Sequence, residues 1–286
     1  TIPSAAAGEN WTEYNGNGER NHYSALKQIK RENLGRLKLA WEYSSGGADT
    51  VNNRSQMQCN PVIIDGILYG VSAGTQVFAL DGATGKELWK TNIKDNGGTT
   101  SRGISWFSDK DASRIFFGAG KYLYAIDPKN GKLIISFGDS GRIDLQKALI
   151  RPGGDNYISS NTPNTIYKNL IITGVRLAES ETALLGDIVA YDVYTGELVW
   201  RFRTIPEKGD FGYETWPENP RNHFGGANAW PGMAIDRNRG IVYAATGSAA
   251  FDFWGGNRKG DNLFANCLIA LDAATGKRIW HFQLVH

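Results

Sequence analysis

Four times this chain repeats a tail of the form Ala-x-Asp-x-x-(Thr/Asn)-Gly-x-x-x-Trp, and that regularity restricts the fold more than any other feature. The copies run from Ala79 to Trp89, Ala125 to Ile135, Ala190 to Trp200 and Ala270 to Trp280. The step from the Asp to the closing apolar residue is eight each time, and Ile135 replaces Trp in the second copy. Self-similarity at a fixed internal spacing marks a repeat architecture, in which each unit buries its apolar face on its neighbour. Each tail reads as a hairpin. A run such as Thr75 to Leu80 alternates toward the Asp, a tight turn follows, and a second apolar run leaves. Gly at the last turn position supplies the positive φ that a short hairpin with a bulge requires. A lone Asp-x-x-Thr-Gly hairpin would be ordinary in any β protein; four in one context are not.

The upstream context is equally regular. Unit one has Asn60 to Ile64 and then Ile67 to Gly70; unit two has Gly103 to Trp106 and then Arg114 to Gly118. Unit three has Asn164 to Tyr167 and Leu170 to Gly174; unit four has Gly232 to Ile235 and Ile241 to Gly247. Four short strands per unit, joined as an antiparallel meander, describe a blade of a β-propeller. A β-sandwich would space its strands without this grouping in fours. The chain is therefore read as all-β, a single propeller domain over 1–286 that supplies about four blades. The units fall at about 56–95, 101–140, 158–205 and 226–286, and 1–50 is an N-terminal segment expected to help close the ring. The only helix-like stretch is short, around Asp144 to Ala148.

Composition excludes several partners. A net charge of +2 with both signs interspersed gives no basic stripe for nucleic acid. No apolar run reaches the length of a membrane span. Cys59 and Cys267 are the only cysteines and stand at opposite ends, which argues against a disulfide framework. The first residue is Thr1 rather than Met, so a removed leader or an internal start is expected. Gly138-Asp139-Ser140-Gly141 has the form of a nucleophile loop, yet His22, His223, His281 and His286 offer it no partnering pattern. Asp81 to Lys86 lacks the spacing of a phosphate or calcium loop. Asn10-Trp11-Thr12 and Asn53-Arg54-Ser55 are formal glycosylation sequons without other support.

Topology indicates where a site belongs. In a meander blade, the start of the first strand and the end of the second lie at the same end of the sheet. The connections from second to third strand share that end, and their lengths differ widely: Ser72 to Gln76 in unit one, Val175 to Gly186 in unit three, Ser248 to Asn266 in unit four. Insertions confined to one face of a repeat usually build its binding face. That end also collects Gln58, Arg102, Asn161, Thr162, Asn228 and Trp230 at first-strand starts, with Gly174, Glu179, Gly247 and Ser248 after second strands. A guanidinium for a carboxylate, an indole for a ring, and a carboxylate with neutral oxygens for a hard cation suit a planar polyanion plus a metal. Each has a plainer alternative: Trp230 as core, Glu179 as a solvated charge, Arg102 as a partner of Asp109 or Asp111.

The chain resembles the N-terminal half of the pyrroloquinoline quinone (PQQ)-dependent dehydrogenases, and most of all their glucose-dehydrogenase-like branch. The likeness rests on Trp11 to Leu26, Asn33 to Trp41, Arg102 to Ser105, Gly186 to Asp192, Phe211 to Trp216 and Gly260 to Cys267. The resemblance implies an eight-bladed propeller with tail tryptophans docked between blades, and PQQ with Ca2+, or a lanthanide, near the axis. It places Gln58 where a Glu commonly touches the quinone. Arg102 and Asn161 or Thr162 become quinone-binding groups, Trp230 the stacked indole, Glu179 a metal ligand, and Ser248 a residue near the second, neutral ligand.

The chain departs from that pattern in several places. Thr99-Thr100-Ser101 occupies the stretch where the alcohol-oxidising branch has an adjacent cysteine pair, Phe107 stands where relatives can have His, and Gln58 is neutral. The segment that carries the family's catalytic Asp is expected beyond residue 286, so the chain alone is expected to be inactive and to need the remaining blades or a second chain. The function implied is oxidation of a sugar or polyol, with alcohol second, in the bacterial periplasm, with attachment to the inner membrane through other regions as a further option. A respiratory quinone or cytochrome is the implied electron acceptor. A non-catalytic propeller scaffold is the alternative from another class.

Overall fold

Each repeat is organised by an Asp that folds its own turn. The Asp81 carboxylate accepts from the Ala83 and Thr84 amides at 3.0 and 2.9 Å and from the Thr84 hydroxyl at 2.8 Å. Asp272 repeats the set with Ala274 and Thr275. Such Asx turns compete with strand pairing and so end the third strand of each unit. Four residues on, Gly85, Gly131, Gly196 and Gly276 take φ near +70°. A bulge follows where the chain turns back, at Ala79/Leu80, Ala190/Tyr191 and Ala270/Leu271.

A computed structural model describes residues 10–52, 54–91, 93 and 100–285. Thr99, Asn53, Thr1 and His286, all named above, lie outside the described residues. Four four-stranded antiparallel sheets follow one another along the chain. Blade 1 comprises Val62–Ile64, Ile67–Val71, Val77–Asp81 and Glu87–Lys90. Blade 2 comprises Ser105–Ser108, Ser113–Ala119, Tyr122–Ile126 and Arg142–Asp144. Blade 3 comprises Thr165–Tyr167, Leu170–Thr173, Ile188–Asp192 and Leu198–Phe202. Blade 4 comprises Met233–Asp236, Ile241–Ala245, Cys267–Asp272 and Arg278–Gln283.

Because successive strand residues face opposite sides, each inner blade serves two cores. Ile115 and Phe117 pack toward blade 1, whereas Phe116 packs toward blade 3. Ile171 joins the core between blades 2 and 3, and Ile172 the core between blades 3 and 4. Burial on both faces explains why these strands read as continuous apolar runs. The outer face of blade 4 has no neighbour among the described residues: Trp280 and Leu268 are about two-fifths exposed, Phe282 more so.

The tail tryptophans clamp each blade to the next. The Trp89 Nε1–H donates to Pro128 O at 2.9 Å, and that of Trp200 to Ala273 O at 3.2 Å. A Cβ on Gly131 or Gly276 would come within about 2.5 Å of those rings, so the turn glycine is required twice over, for φ and for space. Trp41, from the N-terminal segment, docks on blade 1 in the same way, with Nε1 to Gly82 O at 3.1 Å and its ring against Gly85. Other N-terminal residues tie distant blades together. Trp11 bridges to Ile63 of blade 1, and Gly18 O accepts from the Ile235 amide of blade 4 at 2.9 Å. The Glu13–Arg237 pair at 2.6 Å adds a further link to blade 4.

Blade 2 departs from the expected pattern. Its tail begins as a hairpin, with Leu133 bridging Ile126, but residues 135–141 loop out and the outer strand forms at Arg142–Asp144. Ile135 is exposed, and Ile143 packs against Gly196 in its place, with the Gly138 amide donating to Thr195 O at 2.8 Å. An Ile lacks both the reach and the N–H of an indole, so the chain supplies a backbone bond and a later residue. Ser140 sits in this loop with its hydroxyl on Asp139, a structural contact. Two expected unit starts also differ. Gln56–Asn60 pairs in parallel with Thr100–Gly103, and Ile158–Ser159 pairs antiparallel with Arg176–Leu177, as two-stranded sheets outside the blades. The 3₁₀ turn Leu145–Ala148 matches the short helical stretch, and both cysteines are free.

Replacement of buried Trp200 by Ala should cost about 3–5 kcal/mol in urea unfolding. The same change at half-exposed Trp280 should cost well under half as much. Equal losses would show that indole docking is not what joins the blades.

Candidate functional site

Three first-strand starts converge at one end of the arc. The Thr100–Gly103 strand carries Arg102, whose amide donates to Asn161 O at 2.8 Å, locking the entries to blades 2 and 3 together. The Arg102 guanidinium donates to Thr162 Oγ1 at 2.8 Å and Asn161 Oδ1 at 3.3 Å. The Thr162 hydroxyl in turn donates to Trp230 O at 2.9 Å, which links this pair to the entry of blade 4. The guanidinium carbon stands 5.7 Å from the Trp230 ring centroid. Neither Asp109 nor Asp111 pairs with Arg102; Asp109 takes the Tyr194 hydroxyl instead. Trp230 is 44% exposed, so it is not a core residue.

These groups wall a cavity of about 250 Å³. Arg102, Asn161, Asn228 and Trp230 form one part of the lining, and Glu179, Gly247 and Ser248 another. Wider clefts exist, of about 370 Å³ at the outer rim of blades 2 and 3 and about 600 Å³ beside Asn17–Glu19. The smaller one is singled out by the strand ends that meet there. Of the ten residues expected at this end, Thr162 and Gly174 stand behind the wall rather than in it. Thr162 holds Arg102, and Gly174 abuts Ala229, where a Cβ would lie 2.2 Å from the carbonyl oxygen. Gln58 is not brought to the cavity: it is exposed, and its side-chain amide donates to Gln56 at 2.6 Å. The strand register shifts between Met57 and Asn60, the stretch that carries Gln58.

Two charged residues of the wall were not singled out from sequence, Arg176 and Asp252. Both sit on the long insertions, and their signal was membership of those insertions rather than any motif. The insertions are firmly seated. Arg151 holds the first through Ala183 O at 2.6 Å and Glu181 O. Asn228 Nδ2 reaches Val175 O at 2.6 Å. The second is tied down by Ala250 N to Gly225 O, Asn262 N to Thr215 O and Phe264 N to Thr204 O, at 2.8 to 3.0 Å. Beneath lies a buried ion pair, Arg221 with both oxygens of Asp187 at 2.9 and 2.8 Å. This packing explains why Phe211–Trp216 and Gly260–Cys267 matter together: the Trp216 indole donates to Leu263 O, and Gly260 lies against Thr215 O.

A second guanidinium lies near Thr162, outside the cavity lining. Arg20 donates to Pro163 O and Thr165 Oγ1 at 3.2 and 3.1 Å, directly below Thr162 and Gly232. Burial pushes its pKa down to about 10, opposed by Glu13 and Tyr14. On the opposite balance, Glu179 and Asp252 accept no hydrogen bond and form no ion pair among the described residues. Desolvation within the wall, and then the charge of Glu179, push the Asp252 carboxyl above the usual carboxylate range, while Arg258 opposes them. The arrangement offers a fixed cation beside an open indole face on one side and two carboxylates without hydrogen-bond or ion-pair partners among the described residues on the other. Such a site takes a planar anion and a hard cation together.

Gly174→Ala should force the Ala229 backbone outward, costing about 1–3 kcal/mol and displacing Asn228 and Trp230. At Gly247 the nearest atom to an added Cβ is Trp230 Nε1 at 3.6 Å, so Gly247→Ala should be close to neutral. Thermal melting of both variants compares them directly.

A family model described as glucose/ethanol/alcohol dehydrogenase, beta-propeller domain, of the PQQ type, matches residues 11–286. The dehydrogenase subunit of an alcohol dehydrogenase (quinone) from Gluconobacter oxydans is 33% identical over 96% of this chain and 37% of its own length. The quinoprotein glucose dehydrogenase of Escherichia coli is 31% identical over 99% of this chain and 38% of its own. Among solved structures, the quinohemoprotein alcohol dehydrogenase of Comamonas testosteroni superposes with a TM-score of 0.80 at 25% identity, covering 99% of this chain and 42% of that one. The chain thus spans about two-fifths of the length of the relatives it matches.

Proposed function

The chain belongs to the PQQ-dependent glucose/ethanol/alcohol dehydrogenase family, and from that membership we propose that its cavity binds PQQ together with a divalent cation as part of a quinoprotein dehydrogenase. The supporting observation is the Arg102 guanidinium, fixed by Asn161 and Thr162 and set against the exposed face of Trp230, with Glu179 and Ser248 in the same cavity. The donor set fits both groups. Arg102, Asn161 and Asn228 would hold the carboxylate and carbonyl oxygens of the quinone, and Trp230 would lie along its ring plane. Glu179 and the neutral Ser248 oxygen suit Ca2+, with a lanthanide as the other hard cation such oxygens accept. When bound, the quinone supplies a two-electron acceptor and the cation a Lewis acid.

The protein's own part is binding and orientation. Arg102 cannot turn away, because Thr162 and Asn161 fix its donors, and Thr162 is itself held by the Trp230 backbone. Arg20 adds positive potential under the same wall, which favours an anionic ligand.

The substrate we propose is a sugar or polyol hydroxyl, with simple alcohols second, since Thr99-Thr100-Ser101 stands where the alcohol branch has paired cysteines. Electrons would pass to a respiratory quinone or cytochrome, in a periplasmic setting. We place the base that accepts the hydroxyl proton outside these residues, so this chain by itself would not turn over. The apolar outer face of blade 4, with Trp280 and Phe282, supports further blades, from the same protein or a second chain, packing there.

The test is titration with PQQ and Ca2+, read by visible absorption and quenching of tryptophan fluorescence. One quinone per chain should bind and be released by a chelator. Arg102→Leu should weaken binding about 10- to 100-fold, in line with about 1.5–3 kcal/mol for hydrogen bonds to charged groups. Trp230→Ala should weaken it and remove most of the quenching. A wild-type chain that binds no quinone would end this reading.

A further inference from the structure

We propose that Asp252 is a second carboxylate ligand of the cation, so that the metal joins the blade 3 insertion, through Glu179, to the blade 4 insertion. The proposal rests on the quinone-and-cation reading of the cavity and goes beyond it in assigning a residue outside the strand-end positions. Asp252 sits in the 248–266 insertion, four residues after Ser248, and lines the same cavity as Ser248 and Glu179. Its position is set by the protein, since the Ala250 amide is bonded to Gly225 O only two residues before it.

No cationic group among the described residues forms an ion pair with Asp252, although the charge of nearby Arg258 acts on it. Arg258, on the same insertion, donates to Asn262 Oδ1 at 2.9 Å and Phe251 O at 3.5 Å. Arg102 is held by Asn161 and Thr162, and Arg176 lies over the Tyr157 ring at 5.9 Å. Neither Asp252 nor Glu179 accepts a hydrogen bond among the described residues, although both border one small space. Two like charges facing each other across a cavity are unfavourable unless a cation or proton intervenes. Hard divalent cations take six to eight oxygens and gain affinity with the number of charged ligands. Glu179 and a serine hydroxyl give a single negative charge; with Asp252 the set balances a divalent ion. The plainer reading makes Asp252 an exposed loop charge, and it predicts no effect of Asp252 on metal binding.

The experiment titrates the wild-type chain and its Glu179→Gln, Asp252→Asn and Asp111→Asn variants with Tb3+ alone, a hard oxygen-seeking probe whose emission is sensitised by nearby indoles. Far-ultraviolet circular dichroism first checks that each variant is folded. Luminescence lifetimes in H2O and D2O then count the waters on the bound ion. Asp252→Asn should weaken Tb3+ binding by at least ~10-fold, since even outer-shell changes cost that much. It should also add about one or two waters, according to whether the carboxylate binds through one oxygen or both. Asp111→Asn should change neither quantity. Weaker binding with an unchanged water count would mean that Asp252 acts only through its charge, and the ligand assignment would fall. An Asp252→Asn variant identical to wild type, beside a Glu179→Gln variant that loses the ion, would remove Asp252 and leave the cavity reading intact. A wild-type chain that binds no ion would remove both.

Discussion

An indole laid on the turn glycine of the following blade is the contact on which the rest of the architecture depends. A single four-stranded blade buries neither face alone, and its inner and outer strands would splay without a lateral brace. Trp41, Trp89 and Trp200 provide that brace at the outer edge, each with an apolar ring packed on glycine and an N–H satisfied by a backbone carbonyl. The N-terminal segment braces from a second direction, as Trp11 meets blade 1, Gly18 meets blade 4 and Arg20 meets the entry of blade 3. With both constraints in place, the first-strand starts of blades 2, 3 and 4 have little freedom. Site geometry is therefore inherited from the repeat.

The repeat was legible because its chemistry is local. An Asp that accepts its own turn amides and a Gly with positive φ write themselves into sequence at fixed spacing, as do the paired apolar runs. What the pattern could not convey was the consequence of one substitution. Ile135 was visible as an exception, but where the chain would find a substitute depended on tertiary fit: Ile143, eight residues on, meets Gly196 only because residues 135–141 loop out. The two short pairings outside the blades, Gln56–Asn60 with Thr100–Gly103 and Ile158–Ser159 with Arg176–Leu177, were hidden for a related reason. They join stretches far apart in sequence and carry no periodic signature.

Site residues followed the same division. Arg102, Asn161, Asn228 and Trp230 stand at positions that meander topology alone brings to one end, and the structure sets all four on one cavity. Gln58 holds the corresponding place before blade 1, yet a shift in its strand register and a bond to Gln56 keep it apart. Topology identifies an end of the blade, whereas register decides which side chains face the axis. Arg176 and Asp252 lay within insertions recognisable only by length, and nothing in their local sequence marks which positions turn inward. Those orientations come from anchors at Arg151, Asn228 and Gly225, each long-range.

The charges around this cavity fall into two groups by structural origin, with Arg176 a cation carried on an insertion. The guanidiniums of Arg102 and Arg20 are rooted in strand entries and the N-terminal segment, the most tightly bonded parts of the wall. The carboxylates of Glu179 and Asp252 come from the insertions and accept no hydrogen bond and form no ion pair among the described residues. Had the two sets evolved only to stabilise the fold, ion pairs between them would relieve both, as Arg221 and Asp187 do below. Instead Arg102 is held by neutral acceptors and forms no ion pair with the acids. The arrangement becomes favourable once an anion meets the first set and a cation the second. A ligand that is both acidic and metal-chelating satisfies the two demands at once.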